Sequence, residues 1–148
     1  MYRRARTMSS LAHSLTSLRA ARHPRARPNK ADDAIITCDS NAASDDGGGV
    51  FLQRCVSQFI ECSFEENTAV MDGGGLRQVG NAGENVGSLY LDGCVFEFNQ
   101  ATSGHGRGGG LQVQDLHDVS INDCSFSGNV SASRGGGIYS SNGWLSVD

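Results

Sequence analysis

Residues 108–129 read GGGLQVQDLHDVSINDCSFSGN, and the chain repeats this phrase, with variations, over most of its length. Glycine triplets followed by a branched apolar residue occur four times, with starts 26, 35 and 27 residues apart. The triplets begin at Gly47, Gly73, Gly108 and Gly135. Repetition at such a period is typical of chains that stack copies of one unit, because each unit is too small to bury its own apolar face.

Within one unit, apolar and polar residues alternate in short runs. Residues 111–114, 119–121 and 124–126 show this alternation, and Asn, Asp, Gly and Ser separate the runs. A period of two predicts three short strands per unit. Because no helical crossover lies between them, parallel strands can pair only if the chain winds around a coil. We therefore predict an all-β parallel β-helix, or β-solenoid, of about four turns, with a last turn that is incomplete at Asp148.

Superposition of the turns explains three side chains that recur. The phenylalanines are expected to form an inward column of rings, and the asparagines a hydrogen-bond ladder at the end of the third strand. The cysteines fill a third inward position as small apolar residues. The columns are Phe64, Phe96 and Phe126; Asn67, Asn99 and Asn129; and Cys62, Cys94 and Cys124. Asn41 is expected to begin a partial first turn and Cys38 to continue the cysteine column, while the triplets mark tight corners.

Five cysteines would leave one thiol over if disulfides formed. Stacked neighbours have parallel Cβ vectors, which favours a reduced column over a bridged one. The sequence has no Cys-x-x-Cys and no paired histidine spacing that would favour zinc. We predict no cofactor.

The pairing of Gly-Gly-Gly-[Val/Leu/Ile] with Cys-x-Phe-x-x-Asn resembles the repeats of polymorphic outer-membrane proteins. These are similar in turn to other right-handed parallel β-helix, pectin-lyase-like proteins. The resemblance covers about residues 36–148 and implies a right-handed solenoid. It also implies an extracellular or cell-surface location, since such families include surface adhesins and secreted carbohydrate-active enzymes.

The first thirty residues differ in composition from the rest of the chain. Eight of the twelve basic residues and no acid lie there, whereas residues 31–148 hold four basic and sixteen acidic residues, a formal net charge of −12. We predict a basic tail over residues 1–34 and β-helix repeats over residues 35–148. The tail fits a disordered segment, a wrongly assigned start, or an organellar transit peptide with Leu11, Leu15 and Leu18 at helical spacing.

Two groups of polar residues are candidate sites. Asp115, His117 and Asp118 form a polar loop that could bind sugar or act as acid and base, although a solvated loop is the simpler interpretation. Asp46 and Asp72 precede successive triplets and would stack about 5 Å apart, close enough to share Ca²⁺. Arg107 and Arg134 occupy the same place in later units, so a charge ladder explains the two aspartates more simply.

Two function classes remain. One is a non-enzymatic repeat domain of a secreted or surface protein, an adhesion or polymer-contact scaffold whose partner is a polysaccharide or another surface protein. The alternative is a fragment of a polysaccharide lyase or hydrolase, which would need carboxylates and a basic residue on one face of adjacent turns. No catalytic residue, nucleic-acid partner or transmembrane segment is predicted. The Gly-x-Gly-x-x-Gly match at residues 104–109 comes from a triplet plus an insertion, and no helix follows.

Overall fold

A computed structural model of the chain describes residues 18–22, 34–81 and 87–148. Strands and turns make up these residues, and no helix occurs among them. The predictions for the basic tail fall largely on residues 1–17 and 23–33, which lie outside the described residues. Leu11 and Leu15 of the transit-like pattern are among them.

The chain winds as four turns of four strands each. The first turn contains β2 (Ala34–Asp39), β3 (Ala42–Ala43), β4 (Val50–Gln53) and β5 (Val56–Ile60). The second contains β6 (Ser63–Glu65), β7 (Thr68–Ala69), β8 (Leu76–Val79) and β9 (Ser88–Asp92). The third contains β10 (Val95–Glu97), β11 (Gln100–Ala101), β12 (Leu111–Gln114) and β13 (Asp118–Asn122). The fourth contains β14 (Ser125–Ser127), β15 (Val130–Ser131), β16 (Ile138–Ser141) and β17 (Trp144–Val147).

Equivalent strands of successive turns pair in parallel and build four sheets along the coil. The sheets have the orders β2-β6-β10-β14, β3-β7-β11-β15, β4-β8-β12-β16 and β5-β9-β13-β17. The register is continuous, as shown by Phe96, which pairs with Phe64 on one side and Phe126 on the other. This arrangement confirms the predicted all-β parallel solenoid of about four turns.

The number of strands per turn differs from the prediction. The sequence predicts three, and the structure has four, because a two-residue strand follows each ladder asparagine. Thr68–Ala69 is one example, and it pairs in parallel with Gln100–Ala101. Two residues are too few for a period-two pattern to appear in the sequence.

Cys38 occupies a different column from the one predicted. Its Cα pairs with that of Phe64, so it continues the phenylalanine column and not the column of Cys62. The prediction was wrong because it grouped Cys38 with the other cysteines by residue type and not by position in the turn. Phe64 lies three residues before Asn67, and Cys38 lies three residues before Asn41. The equal spacing gives the observed pairing of Cys38 with Phe64.

The predicted tail contains one described strand. β1 (Leu18–Arg22) pairs with β2 in antiparallel fashion, beside the parallel pairs that make up the rest of the described structure. This pairing supplies hydrogen-bond partners to a strand edge that would otherwise be open. β2 begins at Ala34, one residue before the predicted boundary of the repeats. The division of the chain at residue 34 stays a prediction.

Candidate functional site

Columns of identical side chains fill the interior of the solenoid. The ring centroids of Phe64 and Phe96 lie 4.5 Å apart with planes 9° from parallel, and those of Phe96 and Phe126 lie 4.7 Å apart at 5°. Phe64 and Phe96 are fully buried, and Phe59 meets the Phe64 ring edge-on at 5.5 Å. These residues stabilise the fold by burying apolar area, and they leave the outer surface to carry any function.

The asparagine ladder satisfies every polar atom of the buried amides at its centre. Nδ2 of Asn67 donates to Oδ1 of Asn99 at 3.0 Å and to the carbonyl of Cys38 at 2.8 Å. Oδ1 of Asn99 also accepts the backbone N–H of Asn67 at 3.0 Å. Asn99 repeats the pattern with Asn129, and Asn41 begins it. Because the amides of Asn67 and Asn99 are saturated by their neighbours, they have no group left for a ligand.

The glycine triplets form a corner where backbones approach closely. The first glycine of each triplet has φ between 62° and 66°, a left-handed conformation that favours glycine. A Cβ on the second glycine would meet a carbonyl oxygen of the following turn, 2.2 Å away at Gly48 and 2.3 Å away at Gly74. A side chain at these positions would therefore force adjacent turns apart.

The column cysteines are present as thiols that donate to nearby carbonyls. Sγ lies 3.3 Å from the oxygen of Ile60 for Cys62, and 3.1 Å from that of Asn122 for Cys124. A hydrogen bond with Cys62, followed by burial, raises the pKa of Cys94 far above its usual range. Burial raises the pKa of Cys38 to about 11. Thiols held protonated in this way are poor nucleophiles and poor metal ligands.

The predicted polar loop does not converge on one point. Asp115 is buried, with its carboxylate oxygens accepting from Gln114 at 3.0 Å and from Asn142 at 2.9 Å. His117 and Asp118 are exposed, and the backbone N–H of His117 donates to the carbonyl of Gly87. In the described part of the chain, no hydrogen bond joins the side chains of these three residues. The loop as a binding or acid-base site stays a prediction.

Asp46 and Asp72 lie in successive turns, and arginines contact both. One guanidinium, that of Arg77, forms an ion pair with Asp46 and lies 3.5 Å from the carboxylate of Asp72. A second, that of Arg107, lies 3.3 Å from Asp72. The two carboxylates therefore already have cationic partners. Among the described residues, no group of three or more His, Cys, Asp or Glu side chains is arranged to hold a metal ion.

The column that begins with these aspartates changes sign along the coil. It reads Asp46, Asp72, Arg107 and Arg134 from the first turn to the fourth. Backbone N–H groups link it, since that of Asp72 donates to Asp46 and that of Arg107 donates to Asp72. Arg107 and Arg134 are joined by a parallel β-bridge. Within this column, acidic side chains thus lie in the first two turns and basic side chains in the last two.

A second outward column lies beside the first, on the sheet formed by β4, β8, β12 and β16. Its residues are Phe51, Arg77, Gln112 and Tyr139, in direct register. The Arg77 guanidinium carbon lies 5.7 Å from the centroid of the Phe51 ring, and that of Arg107 lies 5.0 Å from the centroid of Tyr139. Such guanidinium–ring contacts fix the direction of the arginine side chains.

Gln112, in the third turn, has a buried polar atom without a partner. The residue is fully buried, and its Oε1 accepts from Nε of Arg77 at 2.9 Å. Its Nε2 has no hydrogen-bond partner. We call Arg77, Arg107, Arg134, Gln112 and Tyr139 together the arginine edge.

Sequence reasoning identified Asp46, Asp72, Arg107 and Arg134 as one column but missed Arg77, Gln112 and Tyr139. The signal for these three was available, because each lies two positions after the last glycine of its triplet. Their differing residue types concealed the equivalence.

Comparison with known proteins gives one family match. Residues 123–141 match the Chlamydia polymorphic membrane protein repeat, a segment that runs from just before β14 to the end of β16. No curated protein and no solved structure matches the chain. Within the described residues, no helix has the length and apolar character needed to cross a membrane. The repeat indicates a surface or outer-membrane type of protein, and the chain is a parallel β-solenoid repeat protein similar to the Chlamydia polymorphic membrane protein repeats.

Proposed function

We propose that this solenoid is a non-enzymatic scaffold of a secreted or cell-surface protein, and that it makes contact with an extended polymer, either a polysaccharide or another surface protein. The observation that carries the proposal is the outer face of the β4-β8-β12-β16 sheet. There, polar, charged and aromatic side chains stand in register over four turns. Because successive turns lie about 4.8 Å apart, the accessible side chains of this face, Phe51 in the first turn and Tyr139 in the fourth, can contact one extended polymer.

The composition of this face suits polymer contact. Aromatic rings at Phe51 and Tyr139 offer apolar area, while Arg107 offers hydrogen-bond donors. Phe51 is 48% exposed, so an apolar ring surface is available to a partner without rearrangement. An isolated contact of this kind is weak, but repeated contacts along one chain add up through effective concentration.

The alternative, a carbohydrate-active enzyme, has one observation in its favour. Asp46, Asp72 and Arg77 lie together across adjacent turns, the kind of arrangement that such an enzyme needs. Both carboxylates form ion pairs with arginines, however, and the side chain of Asp72 is 5% exposed. A general base has to reach its substrate with a free lone pair, so we prefer the scaffold.

Incubation of the chain with pectin-type and other surface polysaccharides separates the two proposals. The scaffold predicts co-sedimentation with insoluble polymer, with no new reducing ends and no unsaturated uronate absorbance. Steady release of either product by wild-type protein, and its loss in Asp72→Asn, would establish the enzyme instead. Absence of both binding and product release would reject polysaccharide as the partner.

A further inference from the structure

Hydrogen-bond donors outnumber acceptors at the basic end of the arginine edge. Arg107 and Arg134 occupy the same position in adjacent turns, which are about 4.8 Å apart in a paired sheet. Like charges directly opposite each other in a sheet repel. Arg107 is partly compensated by Asp72, whereas Arg134 is exposed and forms no ion pair within residues 34–81 and 87–148.

Tyr139 adds a further donor between the two arginines. Nη1 of Arg107 donates to the Tyr139 hydroxyl oxygen at 3.4 Å. An oxygen that accepts in this way leaves its own proton to be donated elsewhere. The hydrogen bond from Arg107 lowers the pKa of the Tyr139 phenol, and a hydrogen bond with Arg134, together with its positive charge, acts in the same direction. The geometry and the charge both describe a site that attracts electron-rich groups.

Gln112 supplies the third donor, and its orientation is fixed. A guanidinium has only donors, so the atom that meets Nε of Arg77 has to be the amide oxygen. Nε2 is therefore on the other side of the amide, away from Arg77, where the register places Tyr139. A buried N–H without an acceptor costs about 1–3 kcal/mol, which a ligand oxygen would remove.

The side chain of Arg107 covers this donor. Because it contacts Asp72 in the second turn and Tyr139 in the fourth, it crosses the third turn, where Gln112 lies. Its side-chain hydrogen bonds are long, at 3.3 and 3.4 Å, and the side chain is 37% exposed. A modest movement of Arg107 would open Gln112 to a ligand and keep the guanidinium beside it.

We propose that the arginine edge binds an oxyanion at the third and fourth turns, namely the carboxylate or sulfate group of an acidic polysaccharide. The oxyanion accepts from Arg134, from the Tyr139 hydroxyl and from Nε2 of Gln112. It also separates the positive charges of Arg107 and Arg134. This inference rests on the proposed polymer contact and names the class of polymer.

Outside the first thirty residues, which hold eight of the twelve basic side chains, the charge of the remaining surface favours this location. Residues 31–148 carry a formal net charge of −12, so most of the surface repels a polyanion. Arg77, Arg107 and Arg134 are three of only four basic residues in that range. The fourth, Arg54, is exposed at the end of β4. Asp46 and Asp72 occupy the equivalent positions in the first two turns, so an anion meets the arginines of this column only in the later turns.

Two measurements on the full chain test the site, with Arg134→Gln as the variant and Arg54→Gln as a control of equal charge. The first is calorimetric binding of polygalacturonate, dextran sulfate and neutral dextran of similar length. We expect both polyanions to bind wild-type protein and Arg54→Gln, and Arg134→Gln to weaken their binding about tenfold or more. Neutral dextran should bind at least tenfold more weakly than the polyanions. Binding of polygalacturonate but not dextran sulfate would identify a carboxylate as the ligand. Binding of dextran sulfate but not polygalacturonate would identify a sulfate.

The second measurement uses sodium sulfate as the probe and the ¹⁵N-correlated side-chain amide signal of Gln112 as the readout. Sulfate should shift this signal in wild-type protein and Arg54→Gln, but much less in Arg134→Gln. A shift without any polymer binding would support the oxyanion site and reject the polymer function. Polyanion binding that Arg134→Gln leaves unchanged, or a Gln112 signal that sulfate does not move, would overturn the site while leaving polymer contact intact.

Discussion

Phe96 stacks on Phe126 with ring centroids 4.7 Å apart and planes only 5° from parallel. This distance matches the spacing between paired strands of successive turns. The rings can therefore stack without any shift of the backbone register. Phe64 continues the stack at 4.5 Å on the other side of Phe96. The central ring is therefore in contact with aromatic surface on both faces.

Phe96→Ala is expected to lower the free energy of unfolding by about 3–5 kcal/mol, since it removes a fully buried ring and leaves a cavity between two others. Urea unfolding followed by circular dichroism measures the loss. Phe98→Ala is the matched control, because the Phe98 ring is 55% exposed. A cost for Phe96→Ala no larger than that for Phe98→Ala would contradict the stacked column.

Asn99→Ala is expected to break the ladder. The backbone N–H and Nδ2 of Asn67 both donate to Oδ1 of Asn99, and alanine offers no acceptor to either. Each buried donor left unpaired costs about 1–3 kcal/mol. Urea unfolding of Asn99→Ala and of Asn122→Ala provides the comparison, because the Asn122 side chain, within the described residues, accepts a long bond of 3.4 Å from Ser120. Equal stabilities for the two variants would show that the ladder contributes little.

Gly109→Ala is expected to destabilise the fold strongly. A Cβ at this position would lie 2.4 Å from the carbonyl oxygen of Val130 and 2.5 Å from that of Gly136, both of which are backbone atoms. Overpacking of this kind costs about 1–3 kcal/mol or more. At Gly104, a Cβ would meet nothing within 4 Å, so Gly104→Ala should stay within about 0.5 kcal/mol of wild type. Thermal unfolding of the two variants tests whether glycine is required at Gly109 because of the close backbone contacts at the corner.

The sequence predicted those parts of the fold that recur as the same residue type. Phe64, Phe96 and Phe126 are visible in the sequence because one apolar environment repeats and selects one side chain. The two-residue strands were not visible, because two residues are too few to show an alternation of apolar and polar side chains. Cys38 shows a related limit, because its identity matches the cysteine column while its register places it in the phenylalanine column.

The candidate site was harder to predict than the fold. Arg77, Gln112 and Tyr139 share a position, but outward positions tolerate any polar or aromatic residue, so no repeated type marks them. The contacts that join them, such as Arg77 Nε to Gln112 Oε1 at 2.9 Å, connect residues 35 positions apart. Long side chains that reach across turns create this site, and their directions depend on packing that a pattern of residue types does not contain.

Stability is expected to fall at alkaline pH in part through Cys38. Burial raises the pKa of this thiol from 9.0 to about 11, so the folded state holds its proton more tightly than the unfolded state does. The resulting contribution is complete below pH 9 and is lost as the pH rises towards 11. Urea unfolding from pH 8 to pH 11 should show a smaller decline for Cys38→Ala than for wild type. Parallel declines in the two proteins would exclude a contribution from this thiol.

Tyr139 is expected to ionise at a lower pH than an ordinary tyrosine. The hydrogen bond from Arg107 stabilises its phenolate and lowers its pKa, and Arg134 adds to the effect. Arg107→Gln should therefore return the Tyr139 pKa upward, towards the ordinary value of about 10. Ultraviolet absorbance of the phenolate follows the titration, and Tyr139→Phe identifies the transition that belongs to this residue. The pKa of Tyr139 is lower in the folded state than in the unfolded state. Its contribution to the free energy of unfolding is therefore present above pH 10 and is lost as the pH falls through the folded-state pKa. This pH dependence is opposite in sign to that of Cys38. If Arg107→Gln left the early transition in place, the guanidinium of Arg107 would not be bonded to Tyr139 in solution, and the donor-rich end of the arginine edge would have to be rebuilt around Arg134 alone.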